Sequence, residues 1–217
     1  MLVKNERSFY EKSMAKLSEE QRLARRQQIL HAGWRCFERN GLHATRMDDV
    51  ITEAGLSAGA VYSYFKNKDD LIRAALTTSM TGLAERLRPM LESSDPHPPA
   101  SLLEHIVAAV EDYTKREGFD LKRIALLGWA ESQRDAELKE IMRTFYSAFV
   151  TQLAGCVSRW KKAGLVRASA NDNHVARALL ALVVGYVVQA AVVGGIRPKT
   201  LRQGVEGLAL SLPREIE

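Results

Sequence analysis

Residues 45–68 read Thr-Arg-Met-Asp-Asp-Val-Ile-Thr-Glu-Ala-Gly-Leu-Ser-Ala-Gly-Ala-Val-Tyr-Ser-Tyr-Phe-Lys-Asn-Lys. Thr45 is a candidate N-cap, and Asp48 three residues later completes a box-like start signal. Val50, Ile51 and Ala54 recur at helical spacing. Gly55 follows the last apolar position, where a left-handed residue ends a helix and turns the chain sharply. Leu56 is placed to plug the angle between two helices. Ser57 is a candidate cap for a second helix, whose buried side would take Val61, Tyr62 and Phe65. Two short helices joined through a Gly-containing turn form the unit that sets one helix into a DNA major groove.

The resemblance to a known family extends on both sides of this stretch. Upstream it takes in Arg26, Ile29, Leu30, Phe37 and Gly41. It continues through Thr45, Asp49, Ala54-Gly55-Leu56-Ser57, Gly59, Tyr62 and Tyr64-Phe65, and ends at Lys68 and Leu71. This pattern resembles the DNA-binding domain of the tetracycline-repressor (TetR) family. Beyond Leu71 the chain is similar to that family only in length and helical pattern. The resemblance implies an all-α fold of about nine helices. A three-helix helix-turn-helix domain over residues 18–67 would precede a larger helical effector-binding and dimerisation domain over 68–217. It also implies a cytoplasmic, ligand-responsive transcriptional regulator, a repressor that binds a palindromic double-stranded operator as a homodimer. No cofactor is expected.

The chain has 217 residues, enough for one small domain and one larger one. Its net charge of +5 is unevenly spread: residues 1–47 hold ten Lys/Arg against five Asp/Glu, and residues 48–217 hold 21 of each. The excess therefore sits where DNA would dock. Cys36 and Cys156 offer no disulfide framework and fit a reducing compartment as small buried residues. No cationic-plus-apolar leader opens the chain. The longest apolar run, Ala178–Val193, is short for a membrane span and is broken by Gln189, so a buried helix is expected there.

Local signals partition the rest. Residues 1–17, with Lys4, Arg7, Lys12 and Lys16, are expected to form a flexible basic arm. Ser18-Glu-Glu-Gln21 is a capping-box pattern that opens the first helix, and Gly41 ends it. Asn67 is expected to cap a fourth helix that runs to about Arg88, where Pro89 ends or kinks it. Ser93–Pro99 is the clearest linker. Further helices are expected over about 100–117 (ended by Gly118), 121–134, 136–163 and 173–193 (capped by Asn171 or Asp172). A last one runs from Pro198 to about 211. No alternating strand pattern is visible.

Thr45 and Arg46 stand at the start of the second helix, where free backbone N–H groups favour an anion. Arg46 could also reach a guanine edge. Ser57, Ala58, Gly59 and Ala60 open the recognition helix, and their small size allows close approach to bases. Ser63 adds a hydroxyl. Relatives often carry lysine or another donor at the position of Ala58, so direct readout should be modest and DNA shape should contribute. The resemblance further implies that Tyr62, Tyr64 and Lys68 hold phosphates. It also implies a dimer seam in the last two helices, for which Ala178, Ala181, Leu182, Gly185 and Leu208 are candidates. An effector pocket would be lined by Tyr113, Trp129, Met142, Phe145, Phe149, Tyr186 and Gln189, apolar enough for a lipophilic or aromatic compound. The alternative is a helical ligand-binding or interaction dimer whose head no longer binds DNA.

Enzyme readings are weak. Gly55-Leu-Ser57-Ala-Gly59 matches the G-x-S-x-G elbow of α/β hydrolases, but that elbow needs a preceding buried strand, and here the preceding segment is helical. Five scattered histidines and two distant cysteines form no metal-ligand spacing.

Overall fold

The computed structural model describes residues 3–95, 97–116 and 119–210, with side chains from Glu19 to Leu208 apart from residues 96, 114 and 116–119. The flexible basic arm expected over residues 1–17 is corrected from residue 3 onward: the backbone of 3–17 is helical and continuous with the rest of α1, so the capping-box pattern at Ser18–Gln21 lies inside the helix and does not open it. Nine helices run through the described residues: α1 (Val3–Ala44), α2 (Met47–Ala54), α3 (Ala58–Tyr62), α4 (Lys68–Leu91), α5 (Pro99–Thr114), α6 (Leu121–Glu131), α7 (Ala136–Lys162), α8 (Asp172–Val192) and α9 (Pro198–Leu210). The chain divides into two compact units, residues 1–75 and 76–217. The division falls inside α4, past the boundary at residue 67 expected from the sequence.

In the first unit, Gly41 breaks α1 with φ 78° and ψ 167°, a conformation that ends the regular helix where the sequence placed its stop. Ile29, Leu30, Ala32, Phe37, Val50, Val61, Phe65, Leu71 and Ala75 form the core beneath α1 to α4. Gly33 lets α1 and α4 approach closely, since a methyl there would stand 3.3 Å from Leu71 Cδ2. Polar ties fix α2 against α1. Arg35 Nε donates to Glu53 Oε1 at 2.6 Å, Arg39 Nη2 meets Glu53 Oε2 at 3.3 Å, and Gln28 Nε2 donates to the Ala54 carbonyl at 2.8 Å.

In the second unit, α5, α7 and α8 enclose a core of Leu102, Ile106, Val110, Phe149, Leu153, Trp160, Leu179, Val183 and Tyr186, with Leu87 and Leu91 from α4. Asp120, Asp135 and Asn171 cap α6, α7 and α8 by accepting from the N–H groups of Lys122, Leu138 and His174. Asn171 is thus the cap of α8. Asp172, in the first turn, instead accepts from Lys161 Nζ at 2.9 Å and from the Ser158 hydroxyl.

Two further expectations are corrected. The helix expected to reach residue 117 stops at Thr114, and the two-residue strands β1 (Lys115–Arg116) and β2 (Phe119–Asp120) pair antiparallel behind it. A ladder that short leaves no alternation in the sequence to read. Pro89 does not end α4, which continues to Leu91; in the last turn a proline gives up one backbone bond, and the Glu92 N–H still reaches the Arg88 carbonyl at 2.9 Å. Within the single chain, α8 is covered on one side. It packs Ala176, Leu179, Val183, Tyr186 and Val187 inward, and leaves Leu182 37% and Val192 66% exposed. By length and composition α8 could cross a membrane, although one of its faces is committed to the core.

Candidate nucleic-acid interface

The turn between α2 and α3 is built as the sequence dictates. Gly55 adopts φ 64° and ψ 34°, and its N–H and that of Leu56 bond back to the Thr52 and Ile51 carbonyls. The Ser57 hydroxyl oxygen accepts from the Ala60 N–H at 3.3 Å and starts α3. Ser57 is therefore a cap between two helices, not a nucleophile presented by a strand. Val61 and Phe65 hold α3 to the core, and Asn67 caps α4 by accepting from the Asp70 N–H at 2.8 Å.

What remains outward is the face with small side chains. Ser57, Ala58 and Gly59 are exposed and Ala60 is half-buried. A methyl built on Gly59 meets nothing within 4 Å, so nothing in the protein's own packing requires glycine there. Tyr62, expected on the buried side of α3 and also as a phosphate ligand, stands 45% exposed. Arg46 is exposed and its guanidinium has no partner among the described residues. Tyr64, half-buried, likewise keeps its hydroxyl unengaged among the described residues.

Other expected phosphate and base ligands are already partly used inside the protein. Thr45 is only 1% exposed: its hydroxyl donates to the Gly41 carbonyl at 2.7 Å and lies 3.1 Å from the Cys36 carbonyl. It neither caps α2 nor has a hydroxyl to offer a phosphate. The cap is Arg46, whose N–H donates to Asp49 Oδ2 at 2.8 Å, so a carboxylate of the protein's own already takes one of the N–H groups at this helix start. Residue type alone points to Thr45, but the break at Gly41 swings its side chain inward. The Ser63 hydroxyl donates to the Ala60 carbonyl at 2.7 Å. Lys68 Nζ donates to the His43 carbonyl at 2.9 Å, tying the start of α4 to the end of α1 while leaving two ammonium hydrogens for a phosphate.

In the larger unit, Phe149 and Tyr186 lie in the core with Trp129 packed against them. Trp129 Nε1 donates to the Tyr146 hydroxyl at 2.8 Å, and the Phe145 ring meets Tyr146 edge-on with centroids 5.4 Å apart. Met142 is buried near Gly128. No sequence signal marks Glu111, which accepts from the Tyr186 hydroxyl; burial and this carboxylate push the Tyr186 phenol well above its usual range. Two candidates stand apart. Gln189 is exposed, away from the buried face that carries Tyr186. Tyr113 packs against Gly82, where a methyl would clash with its hydroxyl, and lines an open groove of about 420 Å³ with Arg86, Asp112 and Lys115.

Comparison with known proteins agrees with this architecture. Residues 29–75 match the model of bacterial regulatory proteins of the tetR family, and residues 99–210 match the C-terminal domain of BetI-type transcriptional repressors. The chain belongs to the TetR family. It is 28% identical over 170 residues to the HTH-type transcriptional regulator BetI of Serratia proteamaculans, covering 78% of this chain and 82% of that protein. Among solved structures, a putative transcriptional regulator from Saccharomonospora viridis in complex with choline superposes with a TM-score of 0.71 at 22% identity, over 86% of this chain and 95% of that one. FadR of Bacillus subtilis in complex with stearoyl-CoA superposes with 0.69 at 17% identity, over 87% and 99%. These two likenesses establish the fold. The family and the relative establish a helix-turn-helix transcriptional regulator, and the relatives are named as regulators, not enzymes.

Proposed function

We propose that this TetR-family regulator is a cytoplasmic repressor that binds a near-palindromic operator as a homodimer and is released by a small-molecule effector. The observation that carries the DNA-reading part is the outward face of Ser57–Ala60, where Gly59 has no packing role, together with Arg46 at the start of α2 and Tyr64 just past α3, both unpartnered among the described residues. A surface of tiny side chains on a head that also carries an unpaired arginine suits a backbone that must approach base edges closely while other residues hold phosphates. Two such heads related by two-fold symmetry would enter successive major grooves about 34–36 Å apart.

The dimer seam is assigned to the outward face of α8 with α9. Ala178, Ala181, Leu182 and Gly185 share that face, and Leu208 on α9 is 70% exposed. An apolar face of this length on a water-soluble regulator calls for a partner. The effector is assigned to the aromatic cluster of Trp129, Tyr146, Phe149 and Tyr186, which favours a lipophilic or aromatic compound. Glu111 supports a second class, a quaternary ammonium held by aromatic faces and a carboxylate. Release requires that the effector bind the state unable to grip the operator more tightly than the competent state.

Selection of bound sequences from a random duplex pool tests the reading. An enriched palindrome is expected. Enrichment of no sequence, at low salt, would mean that the head does not read DNA. With that operator, Arg46→Ala and Lys68→Ala should each weaken binding and flatten its salt dependence by about 0.9 for every phosphate the side chain neutralises, doubled in a dimer. Wild-type affinity in both variants would remove these two residues from the interface.

A further inference from the structure

The α1 helix carries a second basic surface that the helix-turn-helix does not account for. Gln21, Arg22, Arg25 and Gln28 follow one another along one side of α1, and Tyr64 stands opposite them, enclosing an open groove of about 690 Å³. On the other side of Tyr64, Arg22 lines a smaller groove of about 330 Å³ with Glu19, Leu23 and Arg26. Among the described residues, the larger groove has two arginines and no acidic residue in its lining. The Arg22 guanidinium is without a partner among the described residues, and Arg25 meets only the neutral Gln28 side chain, at 3.3 Å.

This surface is fixed to the DNA-reading head. Gln28 bonds the last carbonyl of α2, and the Arg26 guanidinium lies over the Phe65 ring, 5.5 Å from its centroid, next to Tyr64. Tyr64 itself follows α3 directly. Two guanidiniums with no ion pair among the described residues, sharing a groove with Tyr64 in the same unit as the recognition helix, suit a backbone phosphate: Arg supplies bidentate donors and Tyr a third.

We propose that Arg22 and Arg25, with Tyr64, form a second phosphate cleft that grips the operator backbone outside the bases faced by α3. The inference rests on the DNA-binding reading and lengthens the grip on each half-site by one or two phosphates per protomer. Because phosphate contacts carry no sequence information, the cleft sets affinity and footprint, not the sequence preferred.

The test uses the full chain and the operator selected with wild-type protein. Affinity is measured between about 50 and 200 mM salt, and phosphate-ethylation interference maps the phosphates that are held. The double variant Arg22→Ala/Arg25→Ala should flatten the log–log salt slope by about 2–4 per dimer. It should also lose interference at the outermost phosphates and still select the wild-type sequence. Arg22→Lys/Arg25→Lys should restore most of the slope, which separates a charge interaction from a structural role and decides the matter should the alanine variant fold poorly. A wild-type slope in the folded alanine variant overturns the proposal. So does a flattened slope with unchanged interference, which would mean diffuse attraction without direct engagement. Wild-type protein that selects no duplex would sink the DNA-binding reading itself, and the cleft with it.

Discussion

Two small residues carry opposite lessons about the head. Thr45 has the residue type of a helix cap and of a phosphate ligand, yet it is turned inward onto the Gly41 and Cys36 carbonyls. Thr45→Val should therefore lower unfolding stability by about 1–2 kcal/mol in urea titrations, the usual loss for a buried hydroxyl bond. Operator affinity, measured where the variant is folded, should stay at the wild-type value. A large affinity loss without a stability loss would return Thr45 to the interface. Gly59 is the converse case. No neighbour lies within 4 Å of a methyl placed there, and alanine is the better helix former, so Gly59→Ala should melt no lower than wild type. If α3 presses its backbone against the groove floor, the same methyl should weaken operator binding about tenfold, or ~1.4 kcal/mol. Unchanged affinity would mean that the helix stands further from the bases than its small side chains allow.

The link between α1 and α2 depends on Glu53, which accepts from Arg35 and Arg39. These guanidiniums hold its carboxyl below the usual carboxylate range. A carboxyl whose folded pKa is depressed stabilises the protein above its unfolded value of about 4.3, and that contribution is lost as pH falls through the lower folded value. Glu53→Gln should therefore be less stable than wild type at neutral pH, and the difference should shrink as pH drops below about 4.3. A difference that is flat with pH would assign the effect to packing. This pairing is long-range and invisible in the sequence, whereas the turn is legible. Gly55, Ser57 and Asn67 act through neighbours one to three residues away, and each does what its residue type implies. The starts of α8 and α9 are legible for the same reason, since Asn171 and Pro198 mark them locally. The end of α5 is not, because a two-residue ladder has no period. The aromatic cluster is only half legible. Helical spacing puts Phe149 and Tyr186 inside, but Glu111 and the Trp129–Tyr146 bond depend on helices far apart in sequence.

The proposed dimer seam rests on the two-sided character of α8. Its inward residues Leu179, Val183 and Tyr186 are nearly inaccessible, while Ala178, Ala181, Leu182, Val188 and Val192 face out and are not needed to close the core of a single chain. A charge on the outward face should leave one chain folded, because an exposed aspartate costs little on a helix already held by its other side. In a dimer the same charge would be buried against an apolar partner face without a counter-ion, at a cost of several kcal/mol. Ala181→Asp and Leu182→Asp should therefore sediment as folded monomers at concentrations where wild type is dimeric. Val183→Asp, on the inward face, should instead lose helical signal and unfold. The monomers should also bind the operator far more weakly than wild type, since each head alone reads one half-site and the gain from tethering two heads disappears. A single half-site duplex should then be bound with similar affinity by the monomeric variant and by one head of the wild type. An intact dimer in both outward variants would move the seam away from α8, and the exposed apolar face would need another partner.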